Sequence, residues 1–202
     1  MKLYFTPGAC SLAPHIALRE AGLRFDLEPV DLGTKRTKCG ADFTKVNAKG
    51  YVPALALDDG QVLTECATLV EYIADQNPES NLAPKAGSIE RYRLREWLGF
   101  IASELHKGFG PLFGDKAPES YKDVVRANLA ARFGYLDKHL AGKQFLMGSQ
   151  FTVADAYCFT IVGWSSHVGI SLDRWPNLKA YMDRVAKRPN VQATLKAEGL
   201  AA

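Results

Sequence analysis

The chain has 202 residues, 47% of them hydrophobic, which is enough for one large or two small domains with a buried core. Its formal net charge is +3, and no Lys/Arg run with interleaved aromatic residues accompanies it, so nucleic-acid binding is disfavoured. No stretch approaches the ~18 apolar residues of a membrane span. The N-terminus also lacks an apolar stretch of the signal-peptide type, so the sequence predicts a cytoplasmic protein.

The first eighty residues alternate between strand and helix patterns. KLYF predicts a short strand before the Pro7–Gly8 turn, and apolar and small residues at helical spacing then predict a helix that stops at Gly22. Asp59–Gly60 is a strong hairpin signal between two apolar runs. The order strand, helix, strand, helix, strand, strand, helix predicts an α/β domain over residues 1–80. The predicted elements are strands at 2–5, 25–32, 54–57 and 61–63 and helices at 11–22, 42–46 and 65–76.

The composition changes at NPESNLAPKAGS, residues 77–88, which is rich in Pro, Gly, Asn and Ser. We place a linker at 81–87 and a second, all-helical domain at 88–202, because no strand pattern follows. Thr152 and Asp155 fit a capping box, which predicts a helix start and a structural role for Asp155. The predicted helices of this domain span 88–107, 121–140, 152–168, 178–188 and 189–198.

Cys10 is the cysteine whose neighbours predict reactivity. If the first helix begins near Ser11, Cys10 sits at a helix N-terminus, where the macrodipole and the first N–H groups stabilise a thiolate. Its pKa is then expected to fall from ~8.5 to roughly 3.5–7.5. The alternative is a small buried apolar residue. The four cysteines have neither the spacing of a redox pair nor that of metal ligands, so no metal site is predicted. Because no second thiol lies near Cys10 in sequence, a mixed disulfide with an external thiol is favoured over a dithiol centre.

Six segments carry a resemblance to a known family: PGACSLAPHIALRE, NAKGYVPAL, LTECATLVEYIAD, SELHKGFGPLF, FTVADAYCFT and RPNVQATLKAEGL. On these motifs the chain resembles the bacterial beta-class glutathione transferases, essentially from end to end. The resemblance implies an N-terminal thioredoxin-like domain (βαβαββα), an all-α C-terminal domain and a homodimer. It also implies glutathione as co-substrate, with Cys10 in contact with the glutathione sulfur.

The resemblance assigns glutathione contacts in the first domain residue by residue. Val52–Pro53 matches a cis-proline loop whose Val52 backbone would pair with the cysteinyl part of glutathione. Glu65 would bind the γ-glutamyl ammonium, and the N–H of Cys66 at a helix start would bind the γ-glutamyl carboxylate. Many family members have Ser in place of Cys66, so this chain lacks that hydroxyl and has a second thiol near the site. Lys35 matches a lysine that meets the glycyl carboxylate; the alternative is a solvated surface lysine.

Further site residues are expected in the first long helix of the second domain. Ser103, His106 and Lys107 fall at i, i+3 and i+4, which predicts that they share one face of the helix. A polar face of this kind is typical of a cleft wall, and Ser103 is expected to contact glutathione there. The resemblance places His106 and Lys107 at the glutathione site, where they would act on the thiol by proton transfer and by charge. It also places Glu104 across the dimer, on the γ-glutamyl ammonium. The alternative is a solvated face. Aromatic residues are expected to line the cleft for the electrophile: Phe109, Phe113 and Trp164.

One departure from the family pattern concerns activation of the thiol. Close relatives often have Tyr where this chain has Phe5, which cannot donate a hydrogen bond. Tyr4 points to the opposite face of the strand and does not replace it. Ser11 is left as a candidate donor to the sulfur, and more of the activation is assigned to Cys10.

These observations favour an enzyme that joins glutathione to small hydrophobic electrophiles, with dehalogenation of chlorinated compounds as an additional option. A glutathione-dependent thiol–disulfide transferase or peroxidase, working through a mixed disulfide at Cys10, is the first alternative. The second is a non-enzymatic protein of the same fold that binds ligands or partners. The presence of Lys35, Val52–Pro53, Glu65 and His106 argues against that second alternative.

Overall fold

The computed structural model describes residues 1–200 and divides the chain into two compact units. The first unit contains Met1–Ala83 and the C-terminal segment that begins at Arg188, and the second contains Pro84–Lys187. The C-terminal segment therefore groups with the α/β unit, whereas the sequence-based boundary placed it in the helical domain.

The helices and strands follow the predicted order with few changes. In the first unit the predicted βαβαββα arrangement is confirmed, except that β3 is an additional short strand and the helix predicted at 42–46 is a single 3₁₀ turn, Phe43–Lys45. In chain order the elements are β1 Lys2–Phe5, α1 Leu12–Glu20, β2 Asp26–Asp31, β3 Arg36–Thr37, β4 Ala54–Ala56, β5 Val62–Thr64, α2 Cys66–Gln76, α3 Ile89–Phe100, α4 Lys107–Phe109, α5 Glu119–Leu140, α6 Val153–Gly163, α7 Pro176–Ala186 and α8 Pro189–Ala197.

The strands form one five-stranded sheet in the order β3-β2-β1-β4-β5. β1 pairs with β2 in parallel, and the other neighbouring pairs are antiparallel. Side chains of the central strand β1 alternate between the two faces of the sheet. Phe5 packs against His15 of α1, with ring centroids 6.0 Å apart, whereas Tyr4 packs against Phe43, at 5.6 Å. The predicted opposition of Tyr4 and Phe5 is confirmed.

Helix α8 packs against α1 and brings the C-terminal segment into the α/β unit. Arg188, just before α8, forms two hydrogen bonds with the Glu20 carboxylate at the end of α1, at 2.7 and 2.8 Å. Such a two-bond guanidinium–carboxylate pair fixes orientation as well as distance.

Glu198, just after α8, ties the same segment to the loop that follows β1. One of its oxygens lies 2.7 Å from His15 Nδ1, and both side chains are fully buried. Because Arg19 Nε donates to His15 Nε2 at 3.2 Å, the imidazole proton is on Nδ1 and is donated to Glu198. The other oxygen accepts the Gly8 N–H at 3.0 Å. A single buried carboxylate therefore holds both α1 and the loop before it.

The second unit is helical and is built around α6. Every residue from Val153 to Val162 is buried, and α6 packs against α3 and α7. The helix ends at Gly163, earlier than predicted, and a 3₁₀ turn at Ser166–Val168 follows. No helix among residues 1–200 combines the length and the apolar character needed to cross a membrane.

The predicted capping box is present at the start of α6. The Asp155 carboxylate accepts the N–H groups of Thr152 and Leu146, at 2.8 and 2.9 Å, and the hydroxyl of Tyr181, at 3.2 Å. Burial raises the pKa of the Asp155 carboxyl to about 6, although these hydrogen bonds oppose the shift. Asp155 is therefore a structural residue, as predicted.

Replacing Glu198 with Ala should lower the free energy of unfolding by about 3 kcal/mol, because the buried His15 N–H and the partly buried Gly8 N–H lose their acceptor. Urea-induced unfolding followed by circular dichroism measures the loss. Lys196 is exposed and lies two residues earlier, so Lys196→Ala is the matched control and should change stability by less than about 0.5 kcal/mol. Equal effects of the two variants would contradict the role of Glu198.

The raised pKa of Asp155 predicts a pH dependence of stability. A carboxyl with a folded pKa of about 6 and an ordinary value of 3.8 binds more protons in the folded state between these values. Its contribution to stability therefore falls by about 3 kcal/mol as the pH rises from about 4 to about 6. The Asp155→Asn variant has no titrating group at this position and serves as the reference. In urea unfolding, the free energy of unfolding of the wild type minus that of the variant should be larger at about pH 5 than at about pH 7.5. A constant difference would contradict the shift.

Candidate functional site

Cys10 lies in the loop between β1 and α1, two residues before the helix begins at Leu12. Its Sγ donates to the Val52 carbonyl oxygen at 3.3 Å, so the sulfur faces the loop before β4. The N–H groups of Leu12 and Ala13 donate to the carbonyls of Ala9 and Cys10. Because backbone carbonyls occupy these first-turn donors, α1 influences the sulfur through its dipole rather than through those two N–H groups.

Ser11 closes the Cys10 loop. Its hydroxyl accepts the Thr6 N–H at 3.1 Å and donates to the Thr6 carbonyl at 3.2 Å. The interpretation of Ser11 as a donor to the sulfur is therefore wrong, because its single hydroxyl proton is used within the loop. The Thr6 hydroxyl in turn donates to the Val30 carbonyl at 2.7 Å, which ties the loop to β2.

The peptide bond between Val52 and Pro53 is cis, as predicted. Val52 is buried, and its carbonyl is the acceptor for the Cys10 thiol. Lys35 runs beside the same loop, since a Cβ added at Gly50 would lie 3.6 Å from Lys35 Cε. The structure thus places Val52 and Pro53 beside Cys10, and Lys35 beside Gly50 of the same loop.

Glu65 and Cys66 form the start of α2, where Glu65 is the N-cap and Cys66 the first helical residue. The Cys66 Sγ donates to the Cys10 carbonyl oxygen at 3.4 Å, across 56 positions of sequence. The two cysteines therefore belong to one site. This contact joins the start of α2 to the Cys10 loop.

Lys49 pairs with Glu65, a contact that the sequence reasoning missed. Its Nζ lies 2.5 Å from the Glu65 carboxylate and 2.8 Å from the Thr64 hydroxyl. The hydrogen bond to Glu65 raises the pKa of the Lys49 ammonium. Nothing in its spacing distinguishes Lys49 from other surface lysines. The Glu65 carboxylate therefore has a lysine ammonium as its neighbour.

The long first helix predicted in the second domain is not a continuous α-helix. Ile101–His106 form a π-helical segment between α3 and α4. A π turn holds more residues than an α turn, so the α-helical i, i+3, i+4 rule used for Ser103, His106 and Lys107 does not apply in this segment. The Ser103 hydroxyl instead donates to the Gly99 carbonyl of its own helix, at 3.0 Å.

His106 and Lys107 have different neighbours. His106 Nδ1 lies 2.7 Å from the hydroxyl of the buried Tyr157, and its ring is edge-on to Trp164 with centroids 5.1 Å apart. Lys107 instead lines a small cleft of about 130 Å³ with Glu104 and residues of α5. Tyr157 was missed in the sequence because it lies within a uniformly apolar helix.

Glu104 forms an ion pair with Arg132 of α5. Its Oε2 lies 2.6 Å from a terminal guanidinium nitrogen and 2.7 Å from Nε. Both side chains are 42% exposed, so the pair is a surface interaction of small energetic worth. Another cation that binds Glu104 would therefore share its carboxylate with Arg132.

The three residues predicted for the electrophile, Phe109, Phe113 and Trp164, form one aromatic cluster. Phe109 stacks on Phe113 at 6.4 Å between centroids, and Trp164 is edge-on to them, at 5.9 and 5.3 Å. Phe109 is buried, but Phe113 is 47% exposed. The aromatic cluster therefore offers apolar surface at its Phe113 end.

The two remaining cysteines are separate from this chemistry. Burial raises the pKa of the Cys158 thiol well above its ordinary range, which makes it unreactive. Cys39 is exposed, and its sulfur lies 3.1 Å from the Thr37 hydroxyl. Within residues 1–200, no group of three or more His, Cys, Asp or Glu side chains is arranged to hold a metal ion.

Comparisons with known proteins agree on one family. Models of the glutathione S-transferase N-terminal and C-terminal domains match residues 8–76 and 100–189. The chain is 49% identical over 200 residues to glutathione S-transferase GstA of Escherichia coli O157:H7, covering 99% of this chain and 100% of that protein. It is 50% identical to a solved sphingomonad glutathione S-transferase complexed with glutathione, with a TM-score of 0.96 and full coverage of both chains. The bacterial beta-class glutathione S-transferase of Sphingomonas chungbukensis matches with 51% identity, a TM-score of 0.96 and full coverage of both chains.

The bond between Tyr157 and His106 predicts the tautomer of this imidazole. A phenol donates more strongly than it accepts, so in neutral His106 we expect Nδ1 to accept from Tyr157 and Nε2 to carry the proton. Tyr157→Phe should abolish this preference, which ¹⁵N chemical shifts of the imidazole nitrogens report. The chain has only 4 histidines, so His106→Gln assigns the signals.

The control is Tyr181→Phe, which removes a hydroxyl from another buried tyrosine of the same unit. Its hydroxyl bonds Asp155, so the His106 signals should stay unchanged. Identical His106 shifts in wild type and Tyr157→Phe would show that the tautomer is set by something else.

Proposed function

The chain belongs to the glutathione S-transferase family and is an enzyme with glutathione as co-substrate, and we propose that it joins the glutathione sulfur to small hydrophobic electrophiles with Cys10 beside that sulfur. One observation carries the proposal. The Cys10 thiol and the Val52 carbonyl, both assigned to the cysteinyl part of glutathione, are in hydrogen-bond contact at 3.3 Å. A cysteinyl group paired with the Val52 backbone would therefore have its sulfur next to Cys10.

The two ends of glutathione would meet groups of opposite charge in the first unit. Glu65 would bind the γ-glutamyl ammonium. The Lys49 ammonium, which pairs with Glu65 in the structure, would then be displaced or would share the carboxylate. The γ-glutamyl carboxylate would bind at the N-terminus of α2, at the Cys66 N–H, because a helix N-terminus favours anions. Lys35, beside the cis-Pro53 loop, would bind the glycyl carboxylate.

Cys10 would act by exchanging its hydrogen-bond acceptor. Without ligand its S–H donates to the Val52 carbonyl. When the amide N–H of glutathione takes that carbonyl, the Cys10 S–H can donate to the glutathione sulfur and stabilise its thiolate, the nucleophile of the reaction. That thiolate attacks the electrophile, a C–S bond forms, and the leaving group departs.

The family resemblance also assigns roles to residues of the helical unit. His106 would assist proton transfer as a donor, since its Nε2 carries the proton while its Nδ1 accepts from Tyr157, and Lys107 would stabilise the thiolate by its charge. Ser103 and, from the partner subunit of a homodimer, Glu104 would add glutathione contacts. The aromatic cluster would hold the electrophile, because exposed aromatic surface favours apolar ligands.

A second candidate function is glutathione-dependent thiol–disulfide transfer through a mixed disulfide at Cys10. The contact between Cys66 and Cys10 favours it, since it places a second thiol at the same site. Dehalogenation would be one case of conjugation, in which the leaving group is chloride. A cytoplasmic location fits both functions, because cysteines stay reduced in that compartment.

Replacing Cys10 with Ala separates the two functions. One hydrogen bond to a charged sulfur is worth roughly 1.5 kcal/mol, so conjugation of a chloronitroaromatic should fall about tenfold. Exchange with a mixed disulfide should vanish, because the attacking thiol is gone. Both rates are followed by absorbance in steady-state assays.

The matched control is Cys39→Ala, which removes an exposed thiol outside the site and should leave both activities unchanged. Conjugation at the wild-type rate in Cys10→Ala would remove Cys10 from the conjugation mechanism. Surviving disulfide exchange would remove it from thiol transfer.

A further inference from the structure

We propose that Cys66 is a resolving thiol, which attacks glutathionylated Cys10, releases glutathione and leaves a Cys10–Cys66 disulfide. The inference rests on the proposed placement of the glutathione sulfur beside Cys10. It adds a reversible dithiol–disulfide reaction with glutathione disulfide to the conjugation of electrophiles.

The position of Cys66 carries this inference. Its Sγ lies 3.4 Å from the carbonyl oxygen of Cys10, so the side chain of one cysteine touches the main chain of the other. Cys66 is only 5% exposed, which restricts its attack to partners inside the site. The other thiols are engaged elsewhere: Cys39 contacts Thr37 at the surface, and Cys158 is buried in α6.

Helix α2 favours Cys66 as a nucleophile. Cys66 is the first residue of an 11-residue helix, where the dipole and the first N–H groups stabilise a thiolate. Burial opposes ionisation, but the attack is intramolecular, so a small thiolate fraction is offset by a high effective concentration.

Glutathionylation would itself release the Cys10 side chain. In the thiol form its sulfur is held by donation to the Val52 carbonyl at 3.3 Å. A glutathionylated sulfur has no proton to donate, so that hydrogen bond is lost and the side chain can rotate about its Cα–Cβ bond. The proposal requires that this rotation turn the Cys10 sulfur toward Cys66, which already touches the Cys10 main chain.

The chemistry balances over two thiol–disulfide exchanges. The Cys10 thiolate attacks glutathione disulfide, forms the mixed disulfide and expels one glutathione thiolate. The Cys66 thiolate then attacks the Cys10 sulfur, forms the Cys10–Cys66 bond and expels a second. Two protein thiols are oxidised, one glutathione disulfide is reduced to two glutathione molecules, and the two thiol protons pass to the expelled thiolates. Two glutathione molecules reverse the reaction.

Intact-mass spectrometry under non-reducing conditions tests this role, with full-length Cys39→Ser protein as the parent so that the exposed thiol does not react. After incubation with glutathione disulfide, the parent should lose the mass of two hydrogen atoms, and peptide mapping should join Cys10 to Cys66. A second variant also carries Cys66→Ser, whose hydroxyl can keep the bond to the Cys10 carbonyl. It should hold a stable glutathionyl group on Cys10, at least about tenfold more abundant than in the parent.

The outcomes separate this inference from the proposed function. If both proteins carry the same glutathionyl adduct on Cys10, Cys66 is not a resolving thiol, but the glutathione sulfur still lies beside Cys10. If the Cys66→Ser variant takes up no glutathionyl group on Cys10, the placement of the sulfur fails, and the resolving role fails with it. Circular dichroism of both proteins verifies that each is folded.

Discussion

The hydrogen bonds that hold the loop between β1 and α1 decide where the Cys10 sulfur lies, and the proposed chemistry depends on that position. Strand β1 is fixed by backbone pairing with its neighbouring strands. The loop that follows it lies outside the sheet, so hydrogen bonds from side chains fix its backbone instead. Ser11 binds both polar groups of the Thr6 backbone, and the buried Glu198 binds the Gly8 N–H. A carboxylate almost two hundred residues away in sequence thus supports the loop, which explains why the C-terminal segment groups with the α/β unit.

Several polar groups of the first unit pair with one another. The Glu65 carboxylate accepts a hydrogen bond from Lys49. The Cys10 thiol donates to the Val52 carbonyl, and the Cys66 thiol donates to the Cys10 carbonyl. Within residues 1–200, no buried side-chain nitrogen or oxygen lacks a hydrogen-bond partner. Glutathione would therefore bind by exchanging partners of like chemistry, ammonium for ammonium and amide for thiol. Such exchange avoids the cost of a buried polar group left without a partner at any stage.

The helical unit directs its polar side chains by a local change of helix type. The π-helical segment Ile101–His106 interrupts the α geometry, and π segments occur frequently at functional sites. His106 consequently packs between Tyr157 and Trp164, beside the aromatic cluster, whereas Lys107 lies next to Glu104 near α5. The buried Tyr157 hydroxyl engages Nδ1 of the His106 imidazole.

The family resemblance supplied the cis bond before Pro53. The sequence by itself determined the order of the elements, the capping box at Thr152 and Asp155 and the position of Cys10 just before a helix. These features follow from local patterns and short motifs, whose physical causes act within a few residues. Tertiary structure decided the hydrogen bonds between Ser11 and Thr6, the pairing of Lys49 with Glu65 and the contact between Cys66 and Cys10. It also decided the different neighbours of His106 and Lys107. Each of these depends on which donor and acceptor packing brings within about 3 Å, and no local pattern encodes that distance.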